Sequence, residues 1–202
     1  MFISFEGTEG VGKSTLIRKL HAHFLNLNHD VVLTREPGGT PLAEKIRSML
    51  LAVDNDESMS ADTELLLMYA ARSQHLNQVI LPALSANKIV LTDRFCDASF
   101  AYQVKGRGLD QNKLELLNQN FVTRLPDITF WLDAPIEMGM ARARERGALD
   151  RFEQEKMEFF NKVRAGYQYL YEQYPQRIIR LDATQNEEQV FQQALRALNQ
   201  TD

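Results

Sequence analysis

Cysteine is almost missing from this chain of 202 residues, where Cys96 stands alone. A single thiol excludes an internal disulfide and a thiolate zinc site. A catalytic thiol needs a basic partner, and none is evident for Cys96, so a small buried cysteine is expected. Histidine is scarce too. His21, His23, His29 and His75 show neither zinc-protease nor zinc-finger spacing, and all are expected at the surface. No stretch approaches the roughly eighteen uninterrupted apolar residues of a membrane-spanning helix. The N-terminus lacks the charged, apolar and small-residue order of a secretory signal, so a cytoplasmic protein is expected. Positive charge is not in excess: the net charge of −4 and a pI near 5.6 argue against an extended nucleic-acid surface. Linkers rich in Pro or Ser, repeats and low-complexity tracts are also missing, so residues 1–202 are read as one domain.

What is present is a soluble composition, 44% hydrophobic and 25% charged, with short apolar runs separated by longer helical patterns. The runs are Phe2-Ile3-Ser4-Phe5, Val31-Val32-Leu33, Ile89-Val90-Leu91, Ile128-Thr129-Phe130-Trp131-Leu132, and Ile178-Ile179 with Leu181. Helical spacing predicts helices near 13–28, 41–52, 61–86, 110–123, 136–146, 151–173 and 186–199. Alternating strands and helices imply a parallel sheet, five-stranded by this count, with helices on both faces. The fold class is therefore α/β, a three-layer sandwich. Lys105-Gly106-Arg107-Gly108 and the surroundings of Gly147 read as mobile loops.

Ligands in such sheets bind beyond the carboxyl ends of the strands. After the first run comes Gly7-Thr8-Glu9-Gly10-Val11-Gly12-Lys13-Ser14, a complete G-x-x-x-x-G-K-[ST] phosphate-binding loop, followed by Thr15. Its glycines let backbone N–H groups converge on phosphate oxygens, and the helix that follows adds its positive end. Lys13 would pair with the β- and γ-phosphates of a nucleotide, and Ser14 would ligate Mg2+.

After the second run, Thr34-Arg35-Glu36-Pro37-Gly38-Gly39 forces a turn, and Thr40 is placed to cap the next helix. Arg35, with Arg47 on that helix, is a candidate for a second phosphate group, and Glu36 for ordering water around magnesium. Asp93-Arg94 ends the third run: the acid can bind magnesium through water, and the arginine can grip a phosphoryl group. Asp133 is left unassigned. Met68 and Arg72 share a helical face, as do Ser99 and Gln103 if that stretch is helical, and Arg with Gln can read a base edge. Taken alone, those pairs are more simply explained as a solvated helix surface. Arg142, Arg144, Arg146 and Arg151 fall within ten residues around Gly147, which suits a lid over 141–151 that brings cations to transferring phosphoryl oxygens. An acidic protein with clustered arginines fits a small polyphosphate better than a polymer.

Together these motifs resemble the thymidylate kinases, in their bacterial form, over nearly the whole chain. The resemblance rests on Phe5-Glu6-Gly7 leading into the phosphate loop, Thr34 to Gly39, Tyr69-Ala70-Ala71-Arg72, Asp93-Arg94, Ala101-Tyr102-Gln103 with Gly106-Arg107-Gly108, and the arginine-rich lid. It implies transfer of the ATP γ-phosphoryl group to dTMP with Mg2+, and a homodimer. On that likeness Gly7 to Thr15 hold ATP; Ser14, Asp93 and Glu36 serve the metal; and Glu9 meets the acceptor sugar. Arg35, Arg47 and Arg94 surround the acceptor phosphate, and Arg72, Ser99 and Gln103 read thymine. Lys13, Arg94 and the lid residues Arg142, Arg146 and Arg151 act on the transferred group. Where many relatives have Phe to stack on thymine this chain has Met68, so either Met68 or the next residue, Tyr69, takes that role. A kinase for another nucleoside monophosphate and a nucleotide-dependent switch are the competing readings. The lack of an Asn-Lys-x-Asp tetrapeptide disfavours a GTPase switch.

Overall fold

The computed structural model describes residues 1–53, 57–145 and 150–199. Its centre is a five-stranded, fully parallel sheet in the order β2-β3-β1-β4-β5, formed by Phe2–Glu6 (β1), Val31–Arg35 (β2), Ile89–Asp93 (β3), Ile128–Asp133 (β4) and Ile178–Asp182 (β5). Every residue of β1 and β4 is buried, as expected of strands covered on both faces. Alternation then decides which layer each side chain joins. Ile3, Phe5, Leu91, Phe130 and Leu132 face α1 (Lys13–Asn26) and α9 (Glu187–Leu198), through Leu16, Leu20, Phe24, Val190 and Ala194. Phe2 and Val90 face the other layer with Leu76, Ile80 and Phe95. Trp131 packs there on Tyr167 of α8 (Met157–Gln173). Complete burial of a Leu or Phe side chain is worth about 1.5–3 kcal/mol, so these two layers hold the sheet between them.

Between β2 and β3 run α2 (Pro41–Leu51), α3 (Ala61–His75), a π-helical stretch Leu76–Ile80 and α4 (Leu81–Ser85). Thr40 does cap α2, accepting from the Ala43 amide at 3.1 Å, with Pro41 opening the helix. After β3 lies helix that periodicity did not predict as an element, α5 (Cys96–Ser99), continued by π-helical Phe100–Gly106. Next come α6 (Gln111–Phe121) and, after β4, α7 (Ile136–Glu145). The helix expected from residue 151 begins only at Met157. Asp150 Oδ1 accepts the amides of Phe152 and Glu153, each at 2.9 Å, and turns the chain before it can coil. Residues 105–108 differ in part from the loop reading: Lys105 and Gly106 finish the π-helical stretch, while Arg107 and Gly108 turn out of it with Arg107 anchored to Glu64 and Glu155. Arg146 and Gly147 lie outside the described residues.

Candidate active site

Gly7 to Ser14 pass from the end of β1 into α1, and Gly12, at φ 95°, is the helix N-cap. The loop is pressed against the start of α7. A Cβ built on Gly10 would stand 1.9 Å from the Gly139 carbonyl oxygen, and one on Gly139 would stand 2.3 Å from that of Glu9. Two glycines therefore let backbone meet backbone, and fix the helix that carries Arg142 against the phosphate loop. Lys13, 7% exposed, donates to the carbonyls of Thr8 (2.8 Å) and Gly7 (3.2 Å). Burial, reinforced by nearby Arg94, lowers the pKa of its ammonium.

Arg94 leaves β3 with φ 71°, a left-handed turn that costs an L-residue about 1–2 kcal/mol. Its guanidinium reaches back over the loop, donating through Nη1 to Gly7 O (3.0 Å) and Tyr167 Oη (3.3 Å) and through Nη2 to Glu9 Oε1 (2.7 Å). Glu9 Oε1 also accepts from Tyr102 Oη at 2.8 Å, and Arg94 lies over the Tyr102 ring, 4.7 Å from its centroid. Burial disfavours the Glu9 charge, but Arg94 and Lys13 outweigh it and hold the carboxyl below its ordinary range. Glu9, Glu36, Arg47 and Arg94 border two adjoining clefts, one over the phosphate loop and one over α3 and α5.

The second cleft opens to solvent between α3 and α5. Leu51, Met68, Phe95, Ala98 and Phe152 give it apolar walls, and Arg72, Ser99 and Gln103 give it polar points. That is the pattern of a small-molecule site. Arg72 is only 2% exposed; it donates to Glu36 Oε2 (2.7 Å), Ser99 Oγ (3.0 Å) and Phe95 O (3.1 Å). Ser99 and Gln103 are 1% exposed, so the surface alternative for these residues is excluded. Gln103 donates through Nε2 to Glu64 Oε1 at 2.9 Å.

Three placements correct the sequence reading and one settles a choice it left open. Tyr69 lies behind Arg72, with the guanidinium 4.6 Å from its ring centroid and its hydroxyl donated to Asn118, so Met68 and not Tyr69 lines the cleft. Glu36 has its oxygens engaged by Arg72 and by His75 Nδ1 (3.0 Å), which makes it the buttress of Arg72 rather than a free holder of metal water. His75, expected at the surface, is fully buried, and its other nitrogen meets Thr34 Oγ1 at 2.5 Å. Among the lid arginines, Arg142 borders the phosphate cleft. Arg151 instead donates to Leu50 O (2.7 Å), pairs with Glu64 (2.8 Å) and borders neither cleft. Arg35, at the rim, pairs with Glu44 at 2.8 Å, and Arg47 donates to Pro37 O at 2.9 Å. Asp133 holds Arg164 (2.7 Å) and Arg180 (2.6 Å), a structural tie.

Sequence reasoning did not select Tyr102, Tyr167, Asp150 or Phe152. Tyr102 stood inside a quoted motif and Asp150 inside the 141–151 segment; Tyr167 and Phe152 carry no local signal and reach the site only through the fold. Gln185, Asn186 and Val190 border the far end of the phosphate cleft and were missed for the same reason. For a hard divalent cation the donor set is suitable. Ser14 is exposed at the loop, and Asp93 Oδ1 is buried without a hydrogen-bond partner. No cluster of three or more metal-binding side chains occurs among the described residues.

The family description "Thymidylate kinase" matches residues 5–194. The chain belongs to the thymidylate kinase family. Thymidylate kinase of Acinetobacter baumannii (strain SDF) is 75% identical over 198 residues, covering 98% of this chain and all of the relative. That of Psychrobacter sp. (strain PRwf-1) is 50% identical, covering 98% and 97%. The crystal structure of thymidylate kinase from Ehrlichia chaffeensis superposes with a TM-score of 0.79 at 33% identity, over 98% of both chains. The five-stranded parallel sandwich is thus the thymidylate kinase fold, and the chain is a kinase of that family.

Proposed function

We propose that this chain transfers the γ-phosphoryl group of ATP to dTMP, giving dTDP and ADP, as a cytoplasmic homodimer whose single domain carries a lid over 141–151. The observation that carries the assignment is the pair of clefts meeting at Glu9 and Arg94, one built on a phosphate loop and one on Arg72, Ser99 and Gln103. ATP phosphates belong on the loop, where Lys13 exchanges the carbonyls of Gly7 and Thr8 for phosphate oxygens. The acceptor base belongs in the second cleft against Met68. Arg72 retains N–H groups beyond its three protein bonds, which suit the 4-carbonyl of thymine. Arg94 and Arg47 stand between the clefts to meet the acceptor phosphate, and Arg35 joins them from the rim on leaving Glu44.

The acceptor phosphate is already a nucleophile at neutral pH, so the protein contributes alignment and positive charge. Arg94, locked by Glu9, Gly7 and Tyr167, costs no reorganisation at the moment of transfer. Ser14 and Asp93 would hold Mg2+, which when bound neutralises the β- and γ-phosphate oxygens. Exposed Leu66 on α3, Leu116 on α6 and Met49 on α2, each near 60% accessible, supply apolar surface suited to a second copy. A magnesium-dependent ADP-release assay with dTMP, dUMP, AMP, GMP, CMP and thymidine tests the substrate. Selective turnover of dTMP is expected, and equal turnover across the panel would remove the assignment.

A further inference from the structure

Glu64 in the first turn of α3 is 1% exposed, and its two oxygens receive three hydrogen bonds and one further ion pair. Gln103 Nε2 (2.9 Å) and Arg107 Nε (3.2 Å) meet Oε1, while Arg107 Nη2 (3.1 Å) and Arg151 Nη2 (2.8 Å) meet Oε2. Arg107 also pairs with Glu155, so the four charged groups balance. A structural ion cluster would need no neutral member, yet one of these donors is the carboxamide that borders the acceptor cleft. An ionised carboxylate only accepts, and this fixes which way that carboxamide faces.

From this we infer that Glu64 is a specificity-determining positioning residue. It holds Nε2 of Gln103, leaving Oε1 as the carboxamide atom available to a base. The cleft then offers donors from Arg72 and an acceptor from Gln103. A pyrimidine with a carbonyl beside a ring N–H, as in thymine, satisfies both; cytosine, with an amino group beside an unprotonated nitrogen, satisfies neither. Without the carboxylate the amide is free to turn over and present its NH2 group instead. Glu64 also grips Arg151, the residue before Phe152, so the same carboxylate steadies the apolar wall opposite.

This inference rests on the dTMP assignment above. The test is kcat/KM for dTMP and for dCMP, with the competitive inhibition constant of dCMP against dTMP, in the wild-type chain and in Glu64→Gln. The glutamine keeps the shape but can donate as well as accept. The ratio of dTMP to dCMP is expected to fall at least about tenfold, the scale set by leaving a buried polar partner mismatched. A general structural role would lower both substrates together, and a ratio unchanged within twofold overturns the inference. In a Gln103→Ala background the same change is expected to leave the ratio where it stands; a further equal drop would show that Glu64 acts elsewhere. Should Glu64→Gln alone fold poorly, E64Q/R107Q restores charge balance and carries the same expectation. A wild-type chain indifferent to dTMP and dCMP would instead remove the substrate assignment itself.

Discussion

Arg72→Ala separates recognition from stability, because the same guanidinium serves both. Removing it leaves the Glu36 carboxylate, 4% exposed, with His75 as its partner. Breaking one side of a buried ion pair costs about 3–5 kcal/mol, a large share of a typical domain stability of roughly 5–15 kcal/mol. Loss of the charged hydrogen bonds to the base is a separate term of about 1.5–3 kcal/mol, or about 10- to 150-fold in affinity. Glu36→Gln added to Arg72→Ala removes the orphaned charge and retains a polar partner for His75. Urea denaturation of the double variant is expected to recover most of the lost stability, while calorimetric titration still shows dTMP affinity depressed to the level of Arg72→Ala, with ATP affinity little changed. Recovery of dTMP binding along with stability would refute the reasoning, because Arg72 would then matter only to folding.

Lys13→Ala is expected to abolish turnover while leaving dTMP binding within a few-fold, because Lys13 borders only the phosphate cleft; calorimetry showing lost dTMP binding would oppose that division. Met68→Ala should raise the KM for dTMP several-fold, whereas Tyr69→Phe, which gives up the Asn118 bond but keeps the ring beneath Arg72, should leave it within twofold. Gly139→Ala drives a methyl toward Glu9 O at 2.3 Å and displaces both the phosphate loop and the helix bearing Arg142; kcat is expected to fall about 10- to 100-fold, read by steady-state kinetics on a variant whose thermal melting confirms folding. Glu6 gives a pH signature. Burial, with Asp97 nearby, raises its pKa to about 8, so between about 4.5 and 8 the folded chain holds a proton that the unfolded chain releases. Stability conferred by that proton is present in full below about 4.5 and is lost as pH rises towards 8, at up to ~1.4 kcal/mol per pH unit. Glu6→Gln should flatten the fall in denaturation midpoint over that window, and an unchanged profile would show that Glu6 is not its source.

The sheet was legible because its strands are short apolar runs bounded by turn residues, and five of them emerge where those runs lie. The phosphate loop was legible because all its chemistry is local: glycines, Lys13 and Ser14 stand in consecutive positions. The stretch 96–106 was not predicted as an element because its helix is short and then widens into π turns, which break the 3.6-residue period. His75 was misplaced, and the choice between Met68 and Tyr69 left open, for a different reason. On a helix buried on more than one side, spacing does not say which buried face meets the cleft; here Glu36 draws His75 inward, and Asn118 draws the Tyr69 hydroxyl away. Arg151 reads as one more lid arginine in sequence, but Glu64, distant in sequence, captures it. Long-range partners of this kind are set by the fold, so the acceptor cleft was legible in its polar points and hidden in its walls.

Two clefts that meet at Glu9 and Arg94 call for direct transfer between the nucleotides bound in them. Incubating the protein with γ-labelled ATP, dTMP and Mg2+, then separating the products, tests it most directly. The label is expected in dTDP, in step with ADP formation. Label released as inorganic phosphate, with dTMP unchanged, would contradict it and identify a nucleotide-hydrolysing switch.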